Sequence, residues 1–208
     1  MNQDHTPHEF IALAVIPAGI ALNLALGTIF IALRLPIYID AVGTSIVTIL
    51  VGWRAGLVTG VMSFALAGVL VSPISFYFIG TQAAIALYVH IVVNRMGALE
   101  RLWRVIPAGI GLGIVADLMS APIIWFSFQG VTATLRDLII AALESYPHNP
   151  VPPLKAIFLS GLAVEPLDKT IQLLLAYFLV GNCPQRVLSQ FPQRASVATF
   201  RKSLVAVS

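Results

Sequence analysis

The sequence predicts an all-α membrane protein with six transmembrane helices and both termini in the cytoplasm. Of its 208 residues, 58% are hydrophobic and only 10% are charged, and the mean hydropathy is +0.91. Soluble domains carry about 25% charged residues. The apolar residues also fall into stretches long enough, or nearly long enough, to cross a bilayer about 30 Å thick. We therefore expect residues 1–208 to form a single integral membrane domain surrounded by lipid.

Six predicted spans follow one another along the chain. They cover about residues 11–33, 37–53, 55–71, 76–94, 104–126 and 154–181. The second and third lie near the lower length limit and are joined by almost no loop, so we expect a tight antiparallel pair. The longest connection, 127–153, contains an amphipathic stretch with Arg136 and Asp137 on its polar side. It is either a lid over an outer site or an idle helix lying on the membrane.

The positions of Lys and Arg predict the orientation. An even number of spans places both termini on one side, and the cytoplasmic side should hold the excess of basic residues. With the termini inside, eight basic residues lie inside and three outside. The inner set is Arg54, Arg95, Arg101, Arg104, Arg186, Arg194, Arg201 and Lys202, and the outer set is Arg34, Arg136 and Lys155. We expect a multi-pass protein of the cell inner (plasma) membrane, and no nucleic-acid partner, because the basic residues follow the topology.

Polar side chains from four spans are predicted to meet at one depth. A helix rises about 1.5 Å per residue, which places Asn23, Asp117 and Glu165 roughly 15 Å below the outer surface. Gln82 lies somewhat nearer the outside. Charges inside a span cost roughly 2.5 to 3.5 kcal/mol each on insertion scales, so they need a reason. A solute pocket that opens outward would supply one.

A purely structural explanation of these charges remains open. Glu165 and Lys169 are spaced to pair along one helix, with Asp168 beside them, and the three could lock the last span to its neighbours. Asp117 has no basic residue nearby on its own helix. Lys169 or Arg34 reaches it, or it meets a ligand amine, or it is protonated.

Three further residues belong to the predicted outer rim of the pocket. Asp40 either caps the second span or faces the pocket mouth together with Tyr38. Trp125 belongs to the aromatic belt expected at the membrane interface, and it is also placed to stack on a flat solute above Asp117.

Several kinds of chemistry are missing from the sequence. There is no phosphate-binding Gly-x-x-x-x-Gly-Lys-Ser/Thr loop, so we do not expect the chain to hydrolyse ATP by itself. No Cys/His cluster has the spacing of metal ligands, and no serine has the context of a nucleophile elbow. We therefore expect neither an enzyme nor a bound metal or cofactor.

Three segments carry a family resemblance. The runs LPIYIDAVGT at 35–44 and GWRAGLVTG at 52–60 are similar to the second and third helices of the substrate-binding S components of energy-coupling factor (ECF) vitamin transporters. The run EPLDK at 165–169 resembles the final helix of the same group. The resemblance covers nearly the whole chain in architecture.

The resemblance implies partners and site residues. An S component binds a small water-soluble vitamin or precursor and docks on a membrane scaffold subunit driven by two ATPase subunits. The docking motif, Ala-x-x-x-Ala on the first helix, matches Ala21 and Ala25, and Ala14 and Ala18 extend the stripe. The family pocket maps onto Gln82, Asp117, Trp125 and Glu165, with Tyr38 and Asp40 at the rim. Together with Asn23 and Lys169, which the depths and charges of the spans add, these are the expected substrate-binding residues.

The charge count gives an expectation for the solute. Asp40, Asp117, Glu165 and Asp168 outnumber the two bases Lys169 and Arg34, which favours a cationic or neutral heterocycle over an acid. Two alternatives to an importer subunit remain: a membrane sensor or scaffold subunit, and a small standalone secondary transporter with Asp117 and Glu165 as proton carriers.

Overall fold

A computed structural model describes residues 7–33, 35, 37–132, 134, 136–147 and 150–191. Within these residues the chain is helical and contains no β-strand. The α-helices are α1 (Pro7–Ala32), α2 (Val42–Leu50), α3 (Trp53–Leu70), α4 (Ile79–Asn94), α5 (Leu102–Phe128), α6 (Arg136–Glu144), α7 (Pro153–Gly181) and α8 (Gln185–Leu188). Two short 3₁₀ helices, Pro73–Phe78 and Ala98–Glu100, precede α4 and α5.

Four helical segments are long and apolar enough to cross a membrane. They are Ala14–Ala32, Trp53–Leu70, Pro73–Asn94 and Leu102–Phe128, and they agree with four of the predicted spans. The helix α7 has 29 residues, a length of about 43 Å at 1.5 Å per residue. Every 18-residue window of α7 contains Glu165, Asp168 and Lys169, so composition alone does not mark it as a span.

The expectation of a continuous helix over residues 37–53 needs correction. Residues 37–41 are not helical, and α2 has only nine residues, which rise about 13.5 Å. That is less than half the hydrocarbon thickness, so the helix α2 alone is too short to cross a bilayer, and the non-helical residues 37–41 contribute part of the passage from the end of α1 to the start of α3. Nearly all of α2 is buried, because it lies in the middle of the bundle against α1, α3, α4 and α7. The apolar residues of this segment are therefore buried in protein rather than in contact with lipid.

The polarity of the bundle is inverted relative to a soluble protein. The large apolar side chains Val58, Met62, Leu87, Ile110 and Leu162 are exposed on the outer faces of their helices. The charged side chains Asp117, Arg136, Glu165, Asp168 and Lys169 are buried inside. In water this arrangement would be unfavourable, since charged groups are almost never fully buried and large exposed apolar faces mark contact surfaces. It is the arrangement of a membrane protein.

The helices α5 and α7 form the most extensive pair in the bundle. Gly113 of α5 makes their close approach possible, because a Cβ there would overlap the backbone of Glu165 and Pro166. Small residues serve this purpose in membrane helices, where van der Waals packing drives association. The close approach also presents the charged residues of α7 to the interior of the bundle.

The non-helical segment 37–41 is anchored to α7 by side chains. Asp168 Oδ1 accepts hydrogen bonds from the backbone N–H groups of Tyr38 (2.9 Å) and Ile39 (3.1 Å). Gln172 Oε1 accepts a third from the N–H of Ala41 at 2.7 Å. Backbone groups in an apolar environment are costly to leave unpaired, so these two side chains allow the helix to begin in mid-bundle.

We predict that Asp168→Asn destabilises the protein by about 3 to 5 kcal/mol, the usual cost of removing one partner of a buried ion pair. Asp168 Oδ2 also accepts hydrogen bonds from Lys169 Nζ and Gln172 Nε2, both at 2.7 Å. An amide nitrogen in place of either oxygen cannot accept. The measurement is the unfolding free energy in mixed micelles. Glu144→Gln, which removes one negative charge from an exposed position of α6, is the control. Equal stability of the two variants would contradict the assigned role of Asp168.

Candidate functional site

A first polar cluster joins α1, α2, α3 and α4. Asn23 Nδ2 donates hydrogen bonds to Thr44 Oγ1 (2.9 Å) and Ser63 Oγ (3.0 Å), and Asn23 Oδ1 accepts one from the N–H of Gly43 at 2.7 Å. Thr44 in turn donates to Gln82 Oε1 at 3.2 Å. All of these side chains are buried. The amide of Asn23 therefore holds the start of α2 against two neighbouring helices.

A second cluster is built around Arg136. This residue begins α6 and points into the bundle, where it is only 2% exposed. Its Nη2 donates hydrogen bonds to Asp117 Oδ1 and to the carbonyl of Ile157, both at 2.7 Å, and its Nε donates to Ser160 Oγ at 2.9 Å. A planar guanidinium suits such a buried, many-partnered position. Arg136 thus ties the connection between α5 and α7 to both helices.

The expected position of Arg136 is corrected by this arrangement. The sequence placed it on the solvent side of an amphipathic stretch, yet it is the basic partner of Asp117. Lys169 does not reach Asp117, and Arg34 lies outside the described residues. The sequence offered no sign of this position, because Arg136 and Asp137 are neighbours and were both predicted on the polar side of the amphipathic stretch. Asp137 instead accepts hydrogen bonds from the backbone N–H and the hydroxyl of Thr132, which leaves Arg136 to turn inward.

Glu165 lies between two cations without a hydrogen bond to either. Its Oε1 is 3.8 Å from Arg136 Nη1, and its Oε2 is 3.7 Å from Lys169 Nζ. Both distances exceed those of hydrogen bonds. Lys169 Nζ donates instead to Asp168 Oδ2 at 2.7 Å and to Asp40 Oδ1 at 3.1 Å. The carboxylate of Glu165 is thus stabilised only by charge, and it lines a cavity.

The cavity has a volume of about 360 Å³. One wall is polar and contains Tyr38, Asp40, Arg136, Glu165 and Lys169. The opposite walls are mainly apolar and come from α1, α3, the 3₁₀ helix Pro73–Phe78 and α4. They include Leu24, Ile31, Phe64, Ala67, Ile74, Phe78 and Ile85. Pockets for small molecules combine mostly apolar walls with a few polar groups in this way.

The structure brings together six of the eight predicted substrate-binding residues. Asn23, Tyr38, Asp40, Gln82, Glu165 and Lys169 all line the cavity. Asp117 and Trp125 do not: Asp117 lies behind Arg136, and Trp125 packs against an apolar cluster of α5, α6 and α7 that includes Ile124 and Ile157. These two residues therefore lie behind the cavity wall rather than in it. The cavity also includes Ser63, Thr81, Ser120, Thr132 and Thr134, which sequence reasoning missed. Short hydroxyl side chains are common in membrane helices, so nothing in their spacing distinguished them.

The charge balance of the cavity differs from the expected excess of acids. The ionisable wall contains two acids, Asp40 and Glu165, and two bases, Arg136 and Lys169. Asp117 and Asp168 are engaged behind this wall by Arg136 and Lys169. The lining is therefore formally neutral.

The alanine stripe of α1 lies on an exposed face. Ala14, Ala18, Ala21 and Ala25 are all exposed, whereas Asn23 and Gly27 of the same helix are buried. The stripe thus faces away from the cavity and away from the neighbouring helices.

Comparison with models of known protein families finds no match to this chain, and comparisons with curated proteins and with solved structures find no significant match either.

We predict that Gly161→Ala loosens α6. A Cβ at Gly161 would overlap Asp117 Oδ1 and Arg136 Nη2, so the guanidinium must move. The expected cost is about 1 to 3 kcal/mol, as for other overpacked interiors, and amide exchange in residues 136–144 should accelerate. Hydrogen exchange with mass spectrometry measures the exchange rates of residues 136–144. Gly80→Ala is the matched control, because a Cβ there meets nothing within 4 Å. Unchanged exchange in α6 would contradict its anchoring by Arg136.

Proposed function

We propose that this chain binds a small water-soluble solute within the membrane and acts as the substrate-specificity subunit of an ATP-driven importer. The observation that carries the proposal is the cavity of about 360 Å³ with a charged wall inside an otherwise apolar bundle. Ionisable groups inside membrane proteins are expensive and mark substrate or ion pathways. A structural ion cluster alone needs no void beside it. Here the void adjoins Glu165, Lys169 and Arg136.

The solute that suits this cavity is a neutral heterocycle with several hydrogen-bonding groups. Two acids and two bases line the wall, so a net charge on the solute would leave one sign unbalanced in a low-dielectric site. The apolar walls suit a ring. A volume of about 360 Å³ lies at the lower end of the range for small-molecule pockets. These features support a vitamin or vitamin precursor as the solute.

The direction of binding follows from the basic residues. Arg54 at the start of α3, Arg95 after α4, Arg101 before α5 and Arg186 in α8 lie at one end of the bundle, because α3, α4, α5 and α7 alternate in direction. The cavity lies toward the opposite end, near the ends of α3 and α5 and the start of α4. With the basic end in the cytoplasm, the solute enters from outside. Arg194, Arg201 and Lys202 lie outside the described residues.

The importer assignment requires a partner protein in addition to a binding site. The exposed stripe of Ala21 and Ala25 permits close approach by another helix, which supports docking on a membrane scaffold subunit with two ATPase subunits. The same exposed face would serve no purpose in solute binding, since it points away from the cavity.

We predict that protein purified in detergent retains a polar heterocycle that mass spectrometry detects after denaturation. Ala67→Phe places a ring in the cavity, and overpacking of about 1 to 3 kcal/mol should lower retention about 10-fold or more. Val69→Phe, on the same helix but with Val69 73% exposed, is the control and should retain the solute. If wild-type protein releases no small molecule and binds none from a vitamin mixture, the proposed function fails.

We predict that replacing Ala21 and Ala25 together by Leu lowers co-purification with the scaffold subunit about 10-fold or more, because larger side chains prevent close helix contact. Solute retention should be unchanged, since both positions face away from the cavity. Ile29→Leu, at an exposed and already bulky position of α1, is the control. Normal complex formation by the double variant would contradict docking through this stripe. Uptake that continues without the ATPase subunits would favour a standalone transporter.

A further inference from the structure

One wall of the cavity presents three hydrogen-bonding groups in a row. They are Arg136 Nη1, the carboxylate of Glu165 and Lys169 Nζ, separated by 3.8 Å and 3.7 Å. The carboxylate accepts no hydrogen bond from any residue that the structure describes, although Glu165 is only 5% exposed. Buried polar groups almost always have hydrogen-bond partners. An acceptor left open toward a cavity therefore points to a partner supplied by the solute.

The two cations beside Glu165 also have donors to spare. In Arg136, the Nε and Nη2 atoms bind Ser160, Asp117 and Ile157, and Nη1 donates to none of the described residues. Lys169 Nζ donates to Asp40 and Asp168, and an ammonium group has three N–H donors. The wall thus offers a donor, an acceptor and a donor in sequence.

We propose that this row binds a solute with the complementary acceptor–donor–acceptor edge, which is the carbonyl–N–H–carbonyl group of a cyclic imide such as a pyrimidine-2,4-dione ring. One carbonyl accepts from Arg136 Nη1, the ring N–H donates to Glu165, and the second carbonyl accepts from Lys169 Nζ. The proposal rests on the proposed solute-binding function and names the class of solute. Such a ring is neutral, in agreement with the balanced charges of the wall.

The rest of the cavity suits a flat ring held by that edge. Phe64 and Phe78 lie among the apolar lining residues, and the ring of Tyr38 lies 5.9 Å from Lys169 Nζ. Aromatic side chains offer large apolar faces to a heterocycle. Specificity for the imide would come from the row, because a buried acceptor left without its donor costs more than a lost apolar contact.

The test compares two isomers as probes, 1-methyluracil and 3-methyluracil. Both have the same atoms and similar apolar surface, but only the first keeps the ring N–H between its carbonyls. We expect the 1-methyl isomer to bind full-length protein in detergent about 10-fold or more tightly, the effect of one hydrogen bond to a charged group. Saturation-transfer NMR of the probes, with competition between them, measures both affinities. Pyridine-3-carboxylate serves as the anionic probe and should bind more weakly than 1-methyluracil.

Glu165→Gln tests whether the preference arises at Glu165. A neutral amide is a weaker acceptor than a carboxylate, so the preference for 1-methyluracil should fall several-fold. Glu100→Gln makes the same chemical change at the opposite end of the bundle, where Glu100 pairs with Arg104, and should leave the preference intact. Four outcomes overturn the inference: no binding of 1-methyluracil, equal binding of the isomers, tighter binding of the carboxylate, or a full preference in Glu165→Gln. Release of another small molecule from the purified protein would still uphold the proposed function in each case.

Discussion

The hydrogen bonds from the backbone of residues 38, 39 and 41 to Asp168 and Gln172 are the constraint on which the interior of this protein depends. They allow the chain to run without helical structure in an apolar environment, where only pairing with protein groups can satisfy the backbone. The helix α2 then begins only at Val42. Tyr38 and Asp40 of the non-helical segment before it line the cavity.

The same residues explain why the charges of α7 are tolerated. Asp168 is fully occupied by four donors, two from the backbone and two from side chains. Lys169 is shared between Asp168 and Asp40. Arg136 neutralises Asp117 from a different element. Of the buried carboxylates Asp117, Glu165 and Asp168, only that of Glu165 accepts no hydrogen bond from the described part of the chain, and it borders both the cavity and two cations.

The long helices could be predicted from sequence because a run of apolar residues with few breaks specifies both length and surroundings. The predicted spans 104–126 and 154–181 differ from α5 and α7 by only a few residues at each end. The second span could not be predicted in this way, since hydropathy does not distinguish a helix facing lipid from a short one enclosed by protein. The late start of α2 depends on hydrogen bonds from Tyr38 and Ala41 to Asp168 and Gln172, which lie more than 120 positions further along the chain. Arg136 escaped prediction for the same reason: Asp117, Ile157 and Ser160 become its partners only after α5 and α7 have packed.

The backbone of Ile39, in the non-helical segment before α2, is strained. Its φ of 47° lies in the left-handed region, which β-branched residues rarely adopt, and its side chain is 1% exposed. Glycine would relieve the torsional strain but would leave a void in the core. Other large apolar residues would fill the space and keep the strain. Neither choice removes both costs, so the strained backbone of Ile39 persists because the surrounding packing holds it in place.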